Sequence, residues 1–183
     1  MTDTAHPANA DELADAEEWL LSSLRMTARD RDGWAYGTLS SLLLDRGRLF
    51  TPAPWPGGEE PPGEPGRCFI ESVSWAWVAG GTLAYVEGLA WDEWMHQEPH
   101  AWCAGEDGTA LDLTWRTPGL AYVGLPVEAD AARRIMSEEA GPLLHGSAGL
   151  ISPTAERWMR DGIPDGLLVD IGRPIPAALP TRD

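Results

Sequence analysis

The chain is expected to fold as a single α+β domain. Two amphipathic helical stretches flank a run of β-type segments, and a dense apolar helix sits between the first helices and those strands. A third observation is length: 183 residues with 43% hydrophobic content and ten tryptophans can bury one sizeable core.

The elements follow in order. Residues 1–10 read as a loose tail. From Asp11 to Met26, Leu13, Ala16, Leu20 and Leu24 recur at helical spacing. A second helix is expected over Trp34 to Leu44. Thr51 to Gly66 is so rich in proline and glycine that it reads as a long loop or lid. Cys68 to Ala79 has the composition of a buried helix, stopped by Gly80-Gly81. Thr82 to Ala90 alternates as a strand, and Trp91 to Glu98 is a tryptophan-bearing excursion. His100 to Ala104 and Thr109 to Trp115 make a hairpin, and Gly119 to Leu125 a further strand. Glu128 to Ala140 is amphipathic. Ser152-Pro153 opens a last helix as N-cap and first-turn proline. After Gly162 one short apolar run, Leu167 to Ile171, suggests an added strand or an extended wrap. The organisation is thus 11–50 helical, 51–66 loop, 67–162 core and 163–183 extension.

Charge narrows the function classes. The chain carries 29 acidic and 13 basic residues, a net charge of −16, and every basic residue is arginine. No lysine is present for a Schiff base or a phosphate-binding loop. Such acidity opposes nucleic-acid binding, which needs basic patches, and favours a cationic substrate or partner. Mimicry of a polyanion is a weaker reading, because the acids are scattered. Met1 to Glu18 lacks the apolar run of a secretory leader, and no segment approaches a membrane span. A cytoplasmic location is expected, where a free thiol persists.

Three residues carry chemistry. Cys68 opens a helix directly after Gly66-Arg67, where unpaired N–H groups and the helix dipole favour a thiolate and can hold an oxyanion. The alternative is a small buried core residue. His100 begins one hairpin strand and Asp112 lies on the next. With a three-residue loop of Glu106, Asp107 and Gly108, Gly105 pairs with Thr109 and Trp102 stands opposite Asp112. His100 and Asp112 then share a face as diagonal neighbours. A four-residue loop would put Asp112 on the other face. The first register turns Cys103 away, toward Ala101, Leu111 and Leu113. That weakens a zinc site built from Cys68, His96, His100 and Cys103, which also lacks a tight Cys-x-x-Cys pair.

Gly66-Arg67-Cys68 heading a helix, Tyr85-Val86-Glu87-Gly88 on the next strand, Pro99-His100-Ala101-Trp102 and Asp112-Leu113-Thr114-Trp115 together resemble transglutaminase-like cysteine enzymes of the papain-like superfamily. The similarity is to small bacterial and phage-borne members of unassigned role, and it spans about residues 66–125. It implies a nucleophile helix packed on an antiparallel β-sheet with flanking helices. It also implies acyl transfer or amide and thioester hydrolysis through a Cys68 acyl-enzyme, without cofactor, using a small-molecule or peptide acyl donor and an amine or water acceptor. Cys68 would be nucleophile, His100 base and Asp112 orienter. A catalytically silent binding module of the same fold is the alternative.

The second oxyanion donor is not identifiable, since the only glutamine, Gln97, follows Cys68. Glu87 could steer an amine substrate, or pair with an arginine at the rim. Trp91, Trp94 and Trp102 could wall a substrate pocket, although tryptophans are more often core. Ser72 and Trp75 are expected beneath the site. His96 and His145 read as solvated.

Overall fold

The computed structural model describes residues 10–56, 60–92, 94, 96–146 and 150–177. The expected tail thus lies outside the described residues except for Ala10, as do parts of the expected loop and of the tryptophan-bearing excursion. Among the described residues the architecture is mixed α+β: five helices and a six-stranded sheet that closes on itself.

Helix α1 (Ala10–Thr27) buries Ala16, Leu20, Leu21 and Leu24, the stripe its spacing announces. Helix α2 is Leu39–Arg46, shorter than expected. Residues 34–36 are pulled out of it: the amides of Ala35 and Tyr36 donate to the carbonyls of Arg160 and Met159. Thr38 then starts the helix by accepting from the Ser41 N–H.

Strand β1 (Arg48–Ala53) runs into what the sequence suggested was all loop. Its first half pairs antiparallel with β5 (Ala121–Val127). Its second half, Thr51 to Ala53, lies parallel to β4 (Thr109–Leu111). Pro52 is tolerated because this part of the strand is a short segment at the seam, where a missing N–H costs one ladder bond. Helix α3 (Cys68–Val78) follows, with Ala79 as its C-cap. Strands β2 (Ala84–Trp91) and β3 (Gln97–Ala104) pair along their whole length. Helix α4 (Ala129–Glu139) is capped by the Glu128 carboxylate, and α5 (Pro153–Asp161) by Ser152. The terminal run makes one bridge, Leu168 to Val127, before β6 (Arg173–Pro174) pairs with β1.

The strand order β4-β3-β2-β5-β1, with β1 returning to β4, is a closed five-stranded barrel carrying β6 on its edge. The sheet is therefore not wholly antiparallel, since the β1–β4 seam is parallel. Alternation divides the strands into two faces. Phe50, Val86, Ala90, Trp102, Ala104, Ala110 and Tyr122 fill the interior. Tyr85, Ala101, Cys103, Val123 and Leu125 face outward into the larger core shared with the helices. Where His100 is paired across β2 and β5, its partners are Gly88 and then Gly124. A Cβ on Gly88 would lie 2.1 Å from the Val123 carbonyl oxygen, and one on Gly124 would lie 2.8 Å from the Trp102 ring. Gly88 thus lets the backbones of β2 and β5 come close, and Gly124 leaves room for the Trp102 indole. Among the described residues no helix is long and apolar enough to cross a membrane.

Candidate active site

The hairpin between β3 and β4 sets the geometry. Gly105 donates to the Thr109 carbonyl, and Gly108 closes the turn at φ +77°, a conformation glycine adopts without strain. Cys103 pairs with Leu111, so Trp102 stands opposite Asp112, and His100 is the diagonal neighbour on the barrel's interior face. His100 and Asp112 are 2% and 3% exposed, and His100 Nε2 lies 2.7 Å from Asp112 Oδ2. An ionised carboxylate only accepts, so the imidazole N–H donates.

Asp112 ends β4 for the same reason that it can serve His100. Its Oδ1 accepts from the backbone N–H groups of Thr114 (2.9 Å) and Trp115 (3.0 Å), an Asx-type turn that bends the chain away from the ladder. Its Oδ2 accepts from Tyr122 Oη at 3.0 Å as well as from His100. Tyr122 is in turn fixed by the Gly119 N–H, 2.7 Å away. The Trp115 ring stacks on the His100 imidazole with centroids 4.0 Å apart. Burial opposes ionisation of Asp112, yet His100 and these amides hold its pKa below the ordinary carboxylate value.

Cys68 meets this cluster from the other side. It is 8% exposed, at the first position of α3, and it lies near enough to His100 to help raise the pKa of the imidazole. Because Nε2 is taken by Asp112, Nδ1 is the nitrogen left for the thiol. Burial disfavours the imidazolium, but Asp112 and Cys68 together outweigh it and raise the His100 pKa to about 9. The helix end that holds Cys68 differs from its counterparts. Thr38, Glu128 and Ser152 each cap their helices, whereas no side chain caps α3 at Arg67. Its first-turn N–H groups are thus left to face an anion beside the sulfur.

The other sequence candidates are placed differently. Glu87 is fully buried on the outer face of β2 and offers no free carboxylate to an amine. Its oxygens accept from Tyr85 Oη (2.8 Å), the amides of Leu143 (2.7 Å), Leu144 (2.8 Å) and His145 (3.0 Å), and His145 Nδ1 lies 3.2 Å away. Among the described residues no arginine pairs with it; the carboxylate pins residues 143–145 to the barrel. Trp102 is also fully buried, between Phe50 (5.6 Å) and Tyr122 (4.9 Å), and is core rather than pocket wall. Trp91 is part of the packing at the end of β2 and receives the Leu120 N–H on its carbonyl. Trp94 is 72% exposed on a turn ordered by Asp92. His96 has its own amide on that same aspartate.

Ser72 is buried beneath the site, and its carbonyl receives the Cys103 thiol at 3.3 Å. Burial pushes that thiol up to about 12. Trp75 is partly exposed and packs edge-on against Trp55. Among the described residues no three His, Cys, Asp or Glu side chains gather as a metal-binding group.

Sequence reasoning missed Tyr122 and the stacking role of Trp115. Only the register of β5 against β2 brings Tyr122 over Asp112, and nothing local announces that pairing. No family model, curated protein or solved structure matches the chain.

Proposed function

We propose that this protein is a cysteine-dependent acyltransferase or amide and thioester hydrolase of the papain/transglutaminase-like type. The observation that carries the reading is the buried His100–Asp112 hydrogen bond, with Cys68 near enough to act on the imidazole and its sulfur at an uncapped helix N-terminus. A mere core cysteine needs neither an imidazole partner nor an open helix end.

In the proposed cycle His100, protonated at neutral pH by its raised pKa, stands as an imidazolium beside the Cys68 thiolate, and Asp112 stabilises that charge while fixing the ring. The thiolate attacks the donor carbonyl, and the new oxyanion faces the first-turn N–H groups of α3. His100 returns its proton to the departing amine or thiol as the carbonyl re-forms, leaving an acyl thioester on Cys68. Water or an amine then attacks, giving a proton to His100, and expulsion of the thiolate releases the product. The stacked Trp115 covers the imidazole and keeps water from the His100–Asp112 hydrogen bond.

The test is trapping with an acyl thioester probe, followed by intact and peptide mass spectrometry. Acylation of Cys68 is expected, with none on Cys103, none in Cys68→Ala, and a rate about 10²- to 10⁴-fold lower in His100→Ala. Unmodified Cys68, or equal slow labelling of both cysteines, would instead favour a silent binding module.

A further inference from the structure

Two helices present large apolar side chains to solvent at the same spacing. On α1, Trp19 and Met26 are 63% and 70% exposed, and on α3 Ile70 and Trp77 are exposed as well. Each pair is seven residues apart, two turns and about 10 Å along one helix face. The stripes that hold these helices in the fold lie elsewhere: α1 buries Ala16, Leu20, Leu21 and Leu24, and α3 buries Cys68, Ser72, Val73 and Ala76. The two exposed pairs are surplus to the core.

Ile70 also borders a groove of about 590 Å³ between α3 and α4, lined by Phe69 and Val73 on one side and Met136 on the other. The groove has Arg67 and Arg133 on its rim and no acidic side chain in its lining, although the chain's net charge is −16. Arg67 is occupied by Glu64 at 2.9 Å and Glu71 at 4.0 Å, so the local positive charge rests on Arg133. That guanidinium stacks over the Trp77 ring at 4.0 Å, which holds it beside the exposed pair without neutralising it. Helix α1 has the opposite sign. Glu12, Asp15 and Glu18 are exposed around Trp19. Glu18 is engaged by Arg25 at 2.9 Å, and Asp15 stands one turn before Trp19 on the same face. Among the described residues none of α1 lines the groove, so the two surfaces are separate on one chain.

We propose that α1 of one copy packs across the α3–α4 groove of a second copy, with Trp19 and Met26 against Ile70, Trp77 and the apolar lining, and Asp15 beside Arg133. The matching seven-residue spacing lets the two helices lay their exposed pairs along each other over two turns. The charge pattern selects this pairing over its alternatives. Two acidic α1 faces repel, as do two arginine rims, whereas acid against arginine attracts. A local cationic rim also gives so acidic a chain a place where self-association is not opposed by its own field.

Sedimentation velocity of the full chain tests this. Over about a hundredfold range of concentration, a mass-action shift from monomer to a larger species is expected. Trp19→Glu and Ile70→Glu, both at exposed positions, should each weaken association about a hundredfold, as the loss of a buried anchor does. Far-UV circular dichroism checks that each variant is folded. Mixing the two variants should raise association above that of either alone, because one intact α1 and one intact groove remain. Asp15→Arg should weaken association about tenfold, and Arg133→Glu added to the same chain should recover it. A wild-type chain that stays monomeric throughout, or an association that survives both glutamate substitutions, overturns the proposal. So does a mixture that associates no better than its parts, or a double charge swap without recovery. The readout is mass, so its outcome is separable from that of any reaction at Cys68.

Discussion

Tyr122 and His100 donate to the same oxygen of Asp112, at 3.0 and 2.7 Å. The tyrosine comes from β5 and the histidine from β3, so two strands separated by β2 in the ring converge on one carboxylate. Each donor takes part of the charge that the other would receive. Burial and the Asp112 charge raise the Tyr122 pKa well above that of free tyrosine, so it stays a neutral donor.

Tyr122→Phe should therefore move the alkaline limb of kcat/KM upward from about pH 9, because the whole of Oδ2 then faces the imidazolium. A purely structural tyrosine would lower activity without displacing that limb. The substitution also strands the buried Gly119 N–H, at a cost of about 1–3 kcal/mol in urea unfolding.

Stability should depend on pH through His100. Its folded pKa of about 9 exceeds the unfolded value of 6.5, so the native state holds the extra proton between them. The contribution, about 3 kcal/mol, is complete below pH 6.5 and disappears as pH rises through 9. Asp112→Asn removes the charge that supports the proton. Urea midpoints measured from pH 6 to 9.5 should fall for the wild type and much less for Asp112→Asn.

Glu87→Gln replaces an acceptor oxygen with an NH₂ group among donors that have nowhere else to turn. A loss of about 2–4 kcal/mol is expected, with faster amide exchange at Leu143, Leu144 and His145. An unchanged exchange rate at those three amides would contradict the clasp.

Gly88→Ala should be among the most damaging single methyl additions, costing more than about 3 kcal/mol, because the nearest neighbour is strand backbone rather than a side chain that can rotate. Thermal unfolding compared with Gly141→Ala, where an added Cβ meets nothing within 4 Å, provides the control.

What could be read in the sequence was local. The Gly108 turn defined the hairpin register, and with it the placing of His100 beside Asp112 and of Cys103 on the opposite face. The start of α3 at Cys68 and the Ser152 cap of α5 are likewise written in their own neighbourhoods. Strand β1 was not, because Pro52 signals a loop and the strand exists through pairing with Ala110, far along the chain. Glu87 is illegible for a related reason: an acid in an apolar strand suggests an amine substrate or an arginine at the rim until the amides of residues 143–145 arrive to surround it. Between pocket wall and core, the sequence leaves Trp102 open because the closure of the barrel around it is a long-range event.

The parallel seam between β1 and β4 has a temporal consequence. Asp112 is the first residue past β4, and β4 is held on one side by a strand synthesised before the Cys68 helix. Closing that ring joins chain segments on both sides of α3, a non-local step that comes late in folding. Until it is complete, the carboxylate, the imidazole and the sulfur are not held together. A nascent or half-unfolded copy therefore lacks the assembled trio, and any chemistry of the proposed kind has to wait for the intact native fold.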